Sequence, residues 1–162
     1  MGSDLLAKLI WIAIGIIFIV LVAVLAHMGF SSSNYAQSET QLNTVITNVQ
    51  SLYANQPNFS GLTTANAISA GVFPSSMAAQ GAATATDVYG GSVSVNTGTP
   101  DTEFTVEFDN VSQSDCIKLG SSINNSNLVS VSVDGQSPAS ITPGALASVC
   151  ASSSNSIIWT LN

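Results

Sequence analysis

Two adjoining stretches decide how this chain folds. Residues 9–26 read LIWIAIGIIFIVLVAVLA, and residues 34–59 read NYAQSETQLNTVITNVQSLYANQPNF. The first is 18 residues without a charge or a strong hydrogen-bonding side chain. Leu5, Leu6 and Ala7 lengthen it if Lys8 reaches to the headgroups, bringing it to the roughly 20 apolar residues that cross about 30 Å of hydrocarbon. Three readings compete for it: a secretory signal peptide, a single-pass anchor, and a helix that spans the membrane and later packs against copies of itself. The first fits poorly, because the start carries Asp4 as well as Lys8 and the apolar run ends in His27-Met28-Gly29-Phe30 rather than a small-residue cleavage site.

In the second stretch the apolar residues are Tyr35, Leu42, Val45, Ile46, Val49, Leu52 and Tyr53. From Leu42 they recur at the spacing of an amphipathic helix. No proline precedes Pro57, so one helix is expected from about Asp4 to Ala54, with a soft joint at Gly29 and the following serines. At 1.5 Å per residue it would be about 75 Å long. The chain therefore divides into a stem over residues 1–29, apolar all round, and a head over residues 30–162 that contains the amphipathic half of the helix.

Working outward, the head alternates. SVSVN (92–96), EFTVEFD (103–109), LVSVSV (128–133) and SIIWTL (156–161) read as half-buried antiparallel strands, and Asn96 to Pro100 is a turn cluster joining the first two. Short helices fit between them. One runs from a threonine cap at Thr63 to Ala70 and stops at Gly71. A second follows Ser112-Gln113-Ser114-Asp115, which has capping-box spacing with Asp in the place of Glu. A third opens at Pro143 and runs to Cys150. The expected class is α+β, a long helix packed on an antiparallel sheet.

Composition excludes much chemistry. The 162 residues hold two basic side chains, Lys8 and Lys118, against nine acidic ones, for a net charge of -7. Charged residues are 7% of the chain, against about 25% in ordinary soluble domains. Nucleic-acid binding through a basic surface is excluded, because it needs Lys and Arg to displace counterions. One histidine and two cysteines do not furnish a zinc cluster. No GxSxG, Walker loop or HExxH occurs. Glu103, Glu107, Asp109 and Asp115 read as solvated faces and caps rather than an acid/base couple. The expectation is a protein that is not an enzyme and has no cofactor. Asn58, Asn110 and Asn124 begin Asn-X-Ser sequons, which arise by chance in a chain this rich in Asn and Ser. Cys116 and Cys150 usually pair if the head crosses an oxidising compartment; the other reading is two buried thiols in a reducing one.

The order of these features resembles that of the type IV pilins, in particular the type IVb branch that includes toxin-coregulated, bundle-forming and conjugative thin-pilus pilins. EFTVEFDNVSQSDC (103–116) resembles the family's alternating strand, short hydrophobic step and first cysteine. Ser148-Val149-Cys150 followed by Ile157-Ile158-Trp159 resembles the second cysteine and terminal strand, and Gly61-Leu62-Thr63-Thr64 to Phe73-Pro74 resembles the loop after the long helix. The resemblance implies the type IV pilin fold, a Cys116–Cys150 disulfide and a structural subunit that polymerises into a thin fibre. It also implies the partners: further copies of the chain, the bacterial inner membrane before assembly, a prepilin peptidase and the pilus assembly machinery. The destination is an extracellular fimbrium used in adhesion, cell-to-cell contact or conjugative mating. Minor pilins and secretion pseudopilins share the layout; an archaeal surface filament protein is a more distant reading, in keeping with the low charge and the sequons but not with the cysteine pattern, and a permanently anchored binding ectodomain is a rival of a different class.

The chain departs from that pattern at its start. Pilins of this kind have Glu at the fifth mature position, whereas here Leu5 stands there and Asp4 is the nearest acid. Met1 is the expected mature first residue; if Gly2 instead ended a short leader, Asp4 would lie too close to the new terminus. The family's kink proline is absent, leaving Gly15 as the one loosening point. Asp4 and Lys8 stand at i, i+4 and pair on one helix face. In a filament Asp4 would meet the terminal amine or Lys8 of a neighbour and set the register; in a plain anchor the pair would only orient the helix at the headgroups. Asp4, Lys8, Trp11, Gly15, Phe18 and Leu21 are the expected filament-core contacts.

Overall fold

The computed structural model describes residues 34–123 and 126–162. The stem and the 29/30 boundary lie outside the described residues. The description opens in a helix, α1, over residues 34–52. Its buried side is the stripe expected from the sequence: Leu42, Val45 and Val49 are 0% exposed and Ile46 is 5% exposed. Leu52 is the exception, at 47% exposed. At 100° per residue it stands about 80° from the direction of Leu42, on the margin of the stripe. The helix gives way to turns two residues before the expected Ala54.

Five strands follow, all antiparallel in the sheet: β1 (Ala85–Thr86), β2 (Ser92–Thr97), β3 (Phe104–Val111), β4 (Leu128–Val133) and β5 (Asn155–Leu161), in the order β1-β2-β3-β5-β4. The alternation in sequence becomes alternation in burial. Phe104, Val106 and Phe108 of β3 and Ile157, Trp159 and Leu161 of β5 are fully buried. They join the buried side of α1 in one core, with the Phe108 and Trp159 rings edge to face at 5.6 Å between centroids. β1 was not expected, since two residues are too short to show a period.

Three short helices flank the sheet: α2 (Thr64–Ser69), α3 (Gln113–Ser122) and α4 (Pro143–Val149). Thr63 caps α2 by accepting from the N–H of Asn66, and the chain turns out of the helix through Gly71 at φ +73°. Thr142 caps α4, with Pro143 at its start. Helices of six or seven residues do not persist alone, so their place depends on what ties them to the sheet.

Candidate assembly surface and disulfide

The outward side of α1 carries Ala36, Gln37, Thr40, Asn43, Thr47 and Ser51, all exposed and none charged. Several of its polar groups are turned back onto the helix. Thr40 Oγ1 donates to the carbonyl of Ala36 at 2.9 Å, Asn43 Nδ2 to that of Glu39 at 2.9 Å, and Thr44 Oγ1 to that of Thr40 at 2.7 Å. Polar atoms satisfied within their own helix lose little when a neighbour covers them, whereas an unpaired donor would lose its water. Around Thr40, Asn43 and Thr44 the face is thus polar in composition yet cheap to bury.

On one side of the sheet, Cys116 in α3 and Cys150, the C-cap of α4, form a disulfide with Cα atoms 5.9 Å apart. Both are fully buried, so the paired reading of the cysteines holds. The two helices also approach at Gly120, where a Cβ would come within 2.9 Å of a Leu146 methyl, so a larger residue there would require that side chain to move.

Beside the disulfide lies a polar cluster centred on Asp115. Asp115 was expected as a solvated cap, and it is 2% exposed. Half of the capping box forms, with the Asp115 N–H donating to Ser112 Oγ at 3.4 Å. The carboxylate does not complete it. Oδ2 accepts from the Tyr89 hydroxyl at 3.1 Å and Oδ1 pairs with Lys118 Nζ at 3.3 Å. The turn between β1 and β2 brings Tyr89 over the first turn of α3 and buries the carboxylate there. Burial raises the Tyr89 phenol above its ordinary pKa, Asp115 adding to the shift while Ser38 of α1 opposes it. The Lys118 ammonium also lies 5.5 Å from the centre of the Tyr35 ring on α1, so the cluster links α1, the β1–β2 turn and α3.

Asp87, in the same turn, was not singled out from the sequence. Its Oδ1 accepts from the N–H groups of Tyr89 and Gly91, each at 2.9 Å. Oδ2 is buried and has no hydrogen-bond partner among the described residues. Burial pushes this carboxyl up to about 6, Asp109 adding to the shift and the two N–H donors opposing it. Neither this turn nor the burial of its acid was expected from the sequence.

The other carboxylates work within the sheet. Glu107 accepts from Ser94 at 3.1 Å and from Ser156 at 2.8 Å, and Asp109 accepts from Ser92. Among the described sequon asparagines, the Asn58 amide donates to Asp101 and that of Asn110 to the Tyr89 carbonyl. The expected stem contacts, Met1, Asp4, Lys8, Trp11, Gly15, Phe18 and Leu21, lie outside the described residues, as do His27 and Asn124.

Against known proteins, the family described as PilS N terminal matches this chain over residues 32–162. Among solved structures, the crystal structure of TcpA, a type IV pilin from Vibrio cholerae El Tor biotype, is similar with a TM-score of 0.54 at 14% identity, over 80% of this chain and 99% of that one. At that identity the likeness bears on the fold. No curated protein sequence matches. The resemblance to type IV pilins of the type IVb branch, drawn from the order of helix, strands and cysteines, stands on these two findings.

Proposed function

This chain belongs to the PilS N-terminal family and has the type IV pilin fold, and from that premise we propose that it is the major structural subunit of a type IVb pilus. It polymerises into a thin extracellular filament used for surface adhesion and cell-to-cell contact, conjugative mating being one such use. Before assembly it sits in the bacterial inner membrane, where a prepilin peptidase and the assembly machinery act on it.

The observation that supports polymerisation most directly is the outward face of α1, whose exposed residues are uncharged and on which Thr40, Asn43 and Thr44 bond back to the helix. The physics of the stem points the same way. An apolar segment that leaves the bilayer must rebury its surface, and at about 25 cal/mol per Å² a bundle of like stems supplies a large, non-directional stabilisation. Contacts of a heterologous, non-closing kind between identical subunits then generate a helical fibre. In this reading Trp11, Phe18 and Leu21 fill the bundle, Gly15 gives it a point of local unwinding, and Asp4 meets the terminal amine at Met1 or Lys8 of a neighbour to set the register.

Electron microscopy of material sheared from cells making this chain, with the shed protein identified by mass, tests the proposal. Long thin filaments composed mainly of this chain are expected. Its presence only in short assemblies, or at the tips of filaments built of another protein, would make it a minor pilin or pseudopilin. Retention wholly in membranes would make it an anchored ectodomain. The Asp4→Ala variant is expected to lose filaments while keeping its membrane-bound pool; an unchanged filament yield removes Asp4 from the mechanism.

A further inference from the structure

The head carries its charge in a pattern that bears on how copies can touch. Residues 40–86 contain no charged side chain, nor do residues 119–133 or 135–162. The exposed or half-buried acids of the head lie elsewhere: Glu39 in the first turns of α1, Asp101 and Glu103 in the β2–β3 turn, Glu107 and Asp109 on the outer face of β3, and Asp134 in the turn after β4. With a net charge of -7, any contact that sets acid against acid is penalised. The two charge-free flanks are where identical heads can meet without that penalty.

Each flank presents one large exposed apolar side chain, Leu52 at 47% and Val129 at 48%, and among the described residues these are the two of their kind. Val129 is the extra residue of a β-bulge: Leu128 pairs with Leu161 and Ser130 with Thr160, so Val129 has no opposite number on β5. A bulge re-aims a side chain, and this one aims a valine out of the sheet's outermost strand. That strand carries none of the charges that ordinarily guard an exposed edge. Leu52 lines an open groove of about 480 Å³ between the end of α1 and α2, together with Tyr53, Pro57, Asn58, Asn66 and Ala70.

The two sites lie on opposite flanks of the sheet. α2 is tied to β2, where the Val95 N–H donates to Thr64 Oγ1 at 3.0 Å, whereas β4 is the last strand on the other side. They also lie toward the same end of the head. Gln50 of α1 donates to the Asn162 carbonyl, and the Asn162 N–H donates to the carbonyl of Asn127, one residue before β4. At the groove's edge the carboxylate of Asp101 is held by the Asn58 amide at 2.8 Å; β4 itself carries no acid, and Glu103, at the same end of the sheet, stands two strands away from it.

We infer that Val129, projected by the β4 bulge of one copy, seats in the Leu52 groove of a second copy of this chain. Surfaces on opposite flanks make the contact heterologous, so it propagates rather than closing into a dimer. The inference rests on the assembly reading above, and adds which surfaces of the head meet.

Thiol cross-linking within filaments tests it. Leu52→Cys and Val129→Cys are made singly and together, in the full chain in its own host, and sheared filaments are treated with a short bis-maleimide. The buried Cys116–Cys150 pair stays out of the reaction. The double variant is expected to give a ladder of dimers, trimers and higher species, and the single variants none. Filaments of the double variant without a ladder overturn the contact and leave the assembly reading standing. Should the cysteine pair fail to assemble, Leu52→Lys and Val129→Glu are expected each to lower filament yield at least tenfold and together to restore it; no restoration again overturns the contact. If the unmodified chain makes no filaments, the assembly reading falls, and this contact with it.

Discussion

The two flanks of the head solve one problem by different means. Each must hold a short helix and several turns against a sheet that gives them little hydrogen bonding. On the flank that bears α3 and α4 the tie is covalent, Cys150 at the end of α4 to Cys116 in α3. On the flank that bears α2 it is a set of side-chain to backbone hydrogen bonds. Asn48 Nδ2 donates to the Val72 carbonyl at 2.8 Å, Asn66 Nδ2 to that of Gly61 at 2.9 Å, and Thr97 Oγ1 to that of Phe59 at 2.7 Å, while Thr64 Oγ1 bridges the N–H and carbonyl of Val95. One bond acts chiefly on the unfolded chain, by shortening the loops it can explore. The others act on the folded chain, by satisfying carbonyls that would otherwise be stranded. The lesson is that a chain with few charges can staple coil to a core with amides and hydroxyls alone.

Removing the disulfide breaks the comparison most strongly. The cysteines are separated by 34 residues, and loop entropy assigns such a cross-link about 4 kcal/mol. The paired Cys116→Ala and Cys150→Ala variant is expected to unfold at correspondingly lower denaturant, with hydrogen-exchange protection lost first in α3 and α4. Equal loss of protection in α2 would show that the two flanks are one cooperative unit.

Asn48→Ala probes the other flank at smaller cost. It strands the Val72 carbonyl, and about 1–2 kcal/mol of stability should go with it. Combined with the cysteine replacements, the loss should add to within about 0.5 kcal/mol if the flanks act independently. A coupling energy well above that, in a double-mutant cycle by chemical denaturation, would contradict the division drawn above.

Legibility in the sequence follows the same divide between local and remote partners. β2, β3, β4 and β5 were readable because their inward residues alternate along a single strand. α2 was readable because a threonine at its start and a glycine just past its end are local signals, and α4 because Pro143 marks its opening. The stripe on α1 was readable except at Leu52, whose exposure depends on where α2 falls. The features without a local mark depend on chain that is distant in sequence. The burial of Asp115 needs Tyr89, 26 residues away, and the capping-box spacing pointed instead to a solvated helix start. The disulfide came through the order of strand and cysteine shared with a family, joined to an argument from compartment. That β5 would insert between β3 and β4 has no local mark, since it is a property of the completed sheet.

Asp87 sharpens the comparison at its finest grain, because it holds the β1–β2 turn with one oxygen and leaves the other buried and unpartnered. Its carboxyl titrates near 6 in the folded head, above the roughly 3.9 of an unfolded Asp. Between about pH 4 and 6 the folded state therefore holds more protons than the unfolded state. By linkage, this group's contribution to stability falls as pH rises through that window, and the loss is complete above the folded pKa. The Asp87→Asn variant is expected to remove that slope. The slope, rather than stability at one pH, is the measurement, because the new amide keeps the acceptor for Tyr89 and Gly91 but places an unpartnered N–H₂ where Oδ2 stood. With screening by solvent allowed for, the change across the window should be on the order of 1 kcal/mol. Denaturant midpoints taken at half-unit steps from pH 4 to 7 on both proteins decide it. Parallel curves would mean that the carboxyl stays charged throughout, and that the turn tolerates a buried anion held by two N–H groups alone.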